Sequence, residues 1–181
     1  MARVRRRQWQ GWRQGRWLAL VVALSVAGAT AALLPLPWLV VLDGDRARFA
    51  LPGPAGTRFV LRWTHSVERE DWEERFRIEP DGGVTLVATR FKTFGAGVPD
   101  QVGTDTRLEN GWVVMRGIHR PVDPLNIQAA AAEHYRLRYR GVTLALADPG
   151  PPRVLTFTTR DAPLFTMLPA LLRAVASWRG P

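Results

Sequence analysis

Residues 58–78 read RFVLRWTHSVEREDWEERFRI, and this stretch decides the fold class. From Arg58 to Ser66 the side chains alternate, with Phe59, Leu61, Trp63 and His65 on one face and Val60, Arg62, Thr64 and Ser66 on the other. A period of two is the pattern of a strand, because successive side chains point to opposite sides of the pleat. Trp72 to Ile78 alternates again: Trp72, Glu74, Phe76 and Ile78 oppose Glu73, Arg75 and Arg77. The short acidic connection Val67 to Asp71 predicts that the two runs pair as a hairpin, with Glu74 a partner of His65 across it.

The same period extends outward on both sides. Asp81-Gly82-Gly83 supplies the conformational freedom of a tight turn, and Val84 to Phe94 is predicted as the third strand of a meander. Trp112 to Arg116 follows an Asn110-Gly111 turn, and Tyr135, Leu137 and Tyr139 alternate with Arg136, Arg138 and Arg140 before Gly141. Val142 to Ala147 and Val154 to Thr159 are further strands, and Trp38 to Leu42 is either a first strand or an extended stalk. The sum is a mainly β fold of about eight antiparallel strands, a single sandwich or a partly open barrel. One helix closes the chain: Leu164, Phe165, Leu168, Leu171, Leu172 and Val175 recur at helical spacing, with Asp161 as N-cap and Pro163 in the first turn. Pro169 is expected to kink this helix or delay its start. It either packs on the sheet or lies at a membrane interface with Arg173, Trp178 and Arg179 at the headgroups.

Before the strands, Trp17 to Leu42 runs WLALVVALSVAGATAALLPLPWLVVL, 26 residues without a charge. Roughly 20 apolar residues cross a bilayer as a helix, so the segment is long enough. Arg3, Arg5, Arg6, Arg7, Arg13 and Arg16 precede it and Asp43 follows it, which places the N-terminus in the cytoplasm and the bulk of the chain outside. Trp9, Trp12 and Trp17 on one side and Trp38 on the other stand where interfacial anchors stand. Ala27-Gly28-Ala29 and Ala29-Thr30-Ala31 satisfy the small-x-small rule of signal cleavage, and Pro35 and Pro37 shorten the span. The adopted reading is a retained anchor, with cleavage as its alternative. The chain then divides into a basic cytoplasmic tail (1–16), a transmembrane anchor or uncleaved signal (17–38), an exported β domain (39–160) and a C-terminal amphipathic helix (161–181). The expected location is the inner membrane, single pass, with the C-terminal domain in the periplasm or outside.

Composition narrows the chemistry further. The chain has 181 residues and no cysteine, which excludes disulfides, thiolate zinc sites, iron–sulfur clusters and thiol nucleophiles. Its 25 basic residues exceed its 16 acidic ones, but six of the arginines precede residue 17, leaving 19 against 16 in the rest. A nucleic-acid surface needs its cations clustered on the folded domain, so no nucleic-acid partner is expected. His65, His119 and His134 are far apart in sequence with no paired ligands, so neither a metal nor another cofactor is expected.

The densest chemistry is Thr64-His65-Ser66-Val67-Glu68, followed by Glu70, Asp71, Glu73 and Glu74. A histidine, a hydroxyl and several carboxylates are the ingredients of a hydrolytic site. On a strand, however, His65 and Ser66 point to opposite faces and cannot bond to each other directly. Phe94-Gly95-Ala96-Gly97-Val98-Pro99 is the second notable stretch, read as an anion nest or as an ordinary bulge and turn.

Together these stretches resemble a known family. Thr64-His65-Ser66-Val67-Glu68, the Glu73-Glu74 strand, and Thr89 to Pro99 (TRFKTFGAGVP) are similar to domain-of-unknown-function family 1850, small exported bacterial domains. Gly111-Trp112-Val113, Gly117-Ile118 and His134 before a strand share the resemblance, which covers approximately Leu39 to Leu155. It implies association with TAXI-type TRAP transporters, which import organic solutes through an extracytoplasmic binding protein. The resulting expectation is an accessory or assembly domain rather than an enzyme, contacting a TRAP permease or its solute-binding protein. His65, Ser66, Glu68, Glu74, Gly95 and Gly97 are the candidate ligand- or partner-binding residues, and no catalytic residue is assigned. The alternative is an exported small-ligand-binding or hydrolytic domain that uses the same cluster around His65.

Overall fold

The computed structural model describes residues 3–93 and 102–178, with the backbone alone for 3–15. In chain order the elements are α1 (Arg3–Leu33), β1 (Pro35–Asp43), β2 (Arg46–Pro52), β3 (Arg58–Thr64), β4 (Asp71–Ile78), β5 (Val84–Phe91) and β6 (Asp105–Glu109). There follow β7 (Trp112–Pro121), β8 (Leu125–Ala129), β9 (Arg136–Tyr139), β10 (Val142–Ala145), β11 (Arg153–Pro163) and α2 (Leu164–Ala176). The described residues thus form eleven strands, where about eight were expected. They make two antiparallel sheets, one ordered β2-β1-β11-β8 and one ordered β10-β9-β3-β4-β5-β7-β6. The arrangement is a sandwich and not a closed barrel.

The three additional strands are β2, β6 and β8. β6 and β8 are only five residues long, β6 (DTRLE) is largely polar and mostly exposed, and β2 buries Phe49, Ala50 and Leu51 in succession and so does not alternate. Their pairing comes from a neighbour already in place: Asp105 to Glu109 simply line up with Arg116 to Trp112 of β7.

The core lies between the inner faces of the two sheets. Leu39, Val41, Leu51, Leu155 and Phe157 from the smaller sheet meet Phe59, Leu61, Phe76, Leu86 and Leu137 from the larger one, all nearly inaccessible to solvent. Phe59 stacks on Phe76 at 5.1 Å and on Phe157 at 6.0 Å, so one aromatic column joins neighbouring strands and then the two sheets. A third layer covers the back of the smaller sheet, where Trp38, Val40, Ala50 and Ala162 pack against Met167 and Ala170 of α2. Trp38 donates its indole N–H to the Ala162 carbonyl at 2.9 Å. With cover on both faces, β1 must be apolar throughout, which is why Trp38 to Val41 do not alternate.

The helix-to-strand junction is abrupt: α1 ends at Leu33 and β1 begins at Pro35. Pro35 and Pro37 pair with β11 on one side, while β2 starts to pair only at Trp38. Prolines, which lack an N–H, are tolerated on a strand where its donor side has no partner. The stretch from Trp38 to Leu42 is therefore a strand and no stalk. At the other end, Asp161 does not cap α2. It stays in β11 opposite Pro37, and Pro163 takes the N-cap position without a side-chain bond. Pro169 sits inside the helix. Arg173 donates to the carbonyls of Ala47 and Arg48, tying α2 to β2 instead of reaching outward.

Candidate functional site

His65 follows β3 directly, and the β3–β4 connection folds back on it. The His65 amide donates to the Glu70 carbonyl at 2.8 Å, and the Arg69 amide donates to the His65 carbonyl at 2.9 Å. The imidazole stacks on Trp72, 5.3 Å between centroids, and its Nδ1 accepts the Glu68 amide at 3.3 Å. The Glu68 carboxylate accepts from the Thr93 hydroxyl at 3.4 Å, and Glu70 pairs with Lys92 at 3.0 Å. His65, Glu68 and Ser66 are therefore brought into one corner beside the end of β5, with Ser66 exposed. Since the Glu68 amide already occupies Nδ1, that nitrogen is not presented to Ser66 as a base. Gly95 and Gly97, and the whole Phe94–Pro99 stretch, lie outside the described residues.

Glu74 is elsewhere. The β3–β4 register sets it opposite Leu61, two residues inward from the Trp63–Trp72 pair, so it is not the cross-strand partner of His65. It lies on the inner face opposite Thr89 of β5. Burial pushes its carboxyl above the ordinary range, and the positive charge of Arg120 opposes that only in part. Above it runs a stack of rings: Tyr135 on Trp63 at 5.3 Å, Trp63 on Trp72 at 5.6 Å, and Trp72 on His65. Trp72 donates its indole N–H to Thr89 Oγ1 at 2.9 Å, and Thr89 donates to the Glu73 carbonyl at 3.2 Å. Burial also raises the Tyr135 phenol far above its normal range, with the Glu133 and Glu74 charges adding to it. His65 is thereby held by its ring contacts, while Glu74 belongs to the rim of the core.

The outer face of the larger sheet carries a different cluster. Glu73, next to Glu74 but pointing the opposite way, has a side chain only 1% exposed. Its Oε2 accepts from Arg90 Nε at 2.7 Å and Nη2 at 2.6 Å, while Oε1 faces Arg62 at 3.5 Å and Arg138 at 3.7 Å. The Arg90 guanidinium also lies over the Trp112 ring at 4.4 Å. Arg62 makes a 2.5 Å pair with Asp71. Beyond it, toward β9 and β10, opens a cleft of about 620 Å³ lined by Arg62, His134, Arg136, Arg138 and Thr143, adjoined by a cavity of about 160 Å³. His134 sits at φ 50 immediately before this edge. Four guanidiniums, of Arg62, Arg90, Arg136 and Arg138, stand here against two carboxylates, Glu73 and Asp71, which leaves the surface cationic, an arrangement that suits an anion. Among the described residues no three His, Asp or Glu side chains converge as a metal site. The alternation of Arg136 and Arg138 predicted a strand but gave no sign of the cleft, because the third arginine, Arg62, comes from a strand distant in sequence.

Residues 59–146 match the family model for DUF1850, a domain of unknown function. The chain carries a DUF1850 domain. The matched range starts at the second residue of β3 and ends just after β10, so it takes in all seven strands of the larger sheet except Arg58, with both the His65 corner and the arginines of the cleft. The DUF1850 segment contributes only β8 to the smaller sheet; β1, β2 and β11 come from the flanking sequence. No curated protein and no solved structure matches the chain.

Proposed function

We propose that this protein is an accessory or assembly domain tethered to the inner membrane, with its β sandwich in the periplasm or outside, serving a TAXI-type TRAP importer. The observation that carries the reading is the junction of α1 and β1. Residues Arg16–Leu33 form a helix long and apolar enough to cross a membrane, and β1 begins two residues later. There is no stalk, so a sandwich built on β1 sits against the bilayer surface, where the exposed face of a permease or a docked solute-binding protein also lies. The family resemblance supports naming the importer as the partner. The corner formed by His65, Ser66 and Glu68, with Gly95 and Gly97, is the contact surface to test, and Glu74, on the inner face, is left out of it.

Crosslinking in native membranes, followed by mild-detergent purification and mass spectrometry, tests the proposal. Recovery of permease or binding-protein peptides is the expected result; an intact, folded protein that captures neither overturns it. His65→Ala and Glu68→Ala should reduce the yield of those crosslinks, and unchanged yield in a stably accumulated variant removes the site assignment.

A second reading, an exported binder of small anions, is favoured by the arginine cleft. Here the ligand site moves from His65 to Arg62, Arg136 and Arg138. Thermal-shift titration with phosphate and with small carboxylates is its test. A saturable stabilisation that Arg136→Gln abolishes supports it, and no shift with any of these anions rejects it.

A further inference from the structure

Helix α2 is apolar on two sides, and the sheet covers one of them. Met167, Ala170 and Ala174 face inward and are buried. Phe165, Leu168, Leu172 and Val175 recur at i, i+3, i+7 and i+10 on the outer side and are 54%, 41%, 56% and 44% exposed. Trp178, 43% exposed, follows them. No acidic residue occurs between Leu164 and Trp178, and the one base of the helix, Arg173, is turned back onto the carbonyls of β2. A surface helix normally presents charge to water on its outer face, so this stripe requires a second apolar environment.

The topology says what that environment is. Pro35 pairs with Pro163 and Leu36 with Ala162, so the first turn of α2 lies one strand spacing from the point where the chain leaves α1. Leu36, 41% exposed, is on the same face of β1 as Trp38 and Val40, the face on which α2 packs. With Leu33 and Leu34, 61% and 55% exposed, it makes the apolar surface continuous from the end of α1 to the outer stripe of α2. We infer that α2 lies in the bilayer interface, its outer stripe against the lipid of the leaflet from which α1 emerges, so that the domain is held to the membrane at two places. The inference rests on the reading of α1 as a membrane span. Fixed at both points, the sandwich cannot swing about the junction, and the larger sheet, on the side away from α2, is turned to the aqueous phase.

The absence of cysteine makes a direct test available. The full chain is reconstituted in phosphatidylethanolamine and phosphatidylglycerol vesicles with one spin label at a time, at Val22→Cys in α1, Leu168→Cys or Leu172→Cys in α2, and Ser66→Cys in the distal corner. Collision with oxygen, which concentrates in lipid, is compared with collision with a water-soluble nickel chelate. The α2 labels should resemble Val22, with an oxygen-to-nickel ratio several-fold above that at Ser66. Labels at Leu168 and Leu172 that meet nickel as freely as Ser66 overturn the inference while Val22 still reports lipid. Labels shielded from both reagents also overturn it, since they mean that protein covers the stripe. If Val22 itself meets nickel, the membrane reading of α1 fails and takes the inference with it.

Discussion

Glu73 and Glu74 are consecutive carboxylates on one strand, and their removal should move stability in opposite directions. Glu73 is sealed beneath arginines and makes two short charge-assisted bonds to Arg90. Bonds of that kind contribute about 1.5–3 kcal/mol each in stability measurements. Glu73→Ala breaks both and also leaves Arg62, Arg90 and Arg138 without their shared counterion. The arginine side chains are 34%, 27% and 51% exposed, so water recovers part of the loss. The expected net cost is therefore about 2–3 kcal/mol, below the roughly 3–5 kcal/mol typical when a fully buried pair is broken. In a domain of this size that corresponds to a fall in Tm of roughly 6–10 °C. Glu74 is the reverse case, because burial raises its carboxyl above the ordinary range of a glutamate. A raised folded-state pKa means that the protonated form is favoured by folding, so the ionised form costs stability above that pKa. Glu74→Gln should stabilise the domain at pH 7, and the gain should vanish as the pH falls below 4.5, where the native carboxyl is neutral in both states. Urea denaturation of both variants at pH 7 and pH 4 measures the two effects. A Glu73→Ala cost under about 0.5 kcal/mol, the range of an ordinary surface substitution, would refute the buried-counterion argument. A destabilising Glu74→Gln at pH 7 would refute the desolvation argument.

Other substitutions test other parts of the frame. Thr89→Val preserves shape but leaves the buried Trp72 N–H without its acceptor, and should cost about 2 kcal/mol by urea denaturation. Gly103 has φ +80, and an added Cβ would meet the Arg116 carbonyl oxygen, so Gly103→Ala should lower the urea midpoint by an amount equivalent to about 2 kcal/mol or more. Leu39→Ala, at the centre of β1 and fully buried, should cost roughly 2–5 kcal/mol, measured in the same way.

The strands legible in the sequence are those that bury one face. β3, β4 and β9 alternate because one side of each meets the core and the other meets water, and burial follows hydropathy from Arg58 to Leu61 of β3 and throughout β9. The exception is instructive. The alternation puts Glu73 on the polar side of β4, which is correct for direction but says nothing of its burial, because arginines from β3, β5 and β9 close over it. Sequence patterning reports the side on which a residue sits; the covering depends on residues up to 65 positions away, as with Arg138. The His65 corner was legible for a similar reason, since His65, Ser66 and Glu68 are local, whereas Glu74 was misjudged once pairing register was needed. β2 and β6 are not legible, because β2 is buried on both faces and β6 is largely polar, while β8 alternates over only five residues, too short a run to stand out.

The ends of the chain carry the half of the fold that the DUF1850 match does not. β1 follows α1 and β11 precedes α2, and the two pair along nine consecutive positions, Pro35 with Pro163 through Asp43 with Leu155. The smaller sheet therefore forms only when both termini are in place, and its back is closed by the same α2 whose outer face is apolar. One sheet, contributed mainly by the flanks, fixes the position of the domain relative to α1. The other, contributed almost entirely by the matched segment, presents the arginine cleft and the His65 corner. Because the sheets share one core through Phe59, Phe76 and Phe157, the attachment and the presented surface are parts of a single packed body. A partner that binds the larger sheet would thus meet a surface whose distance from the end of α1 is set by packing rather than by a linker, which is what the assembly role proposed above asks of it.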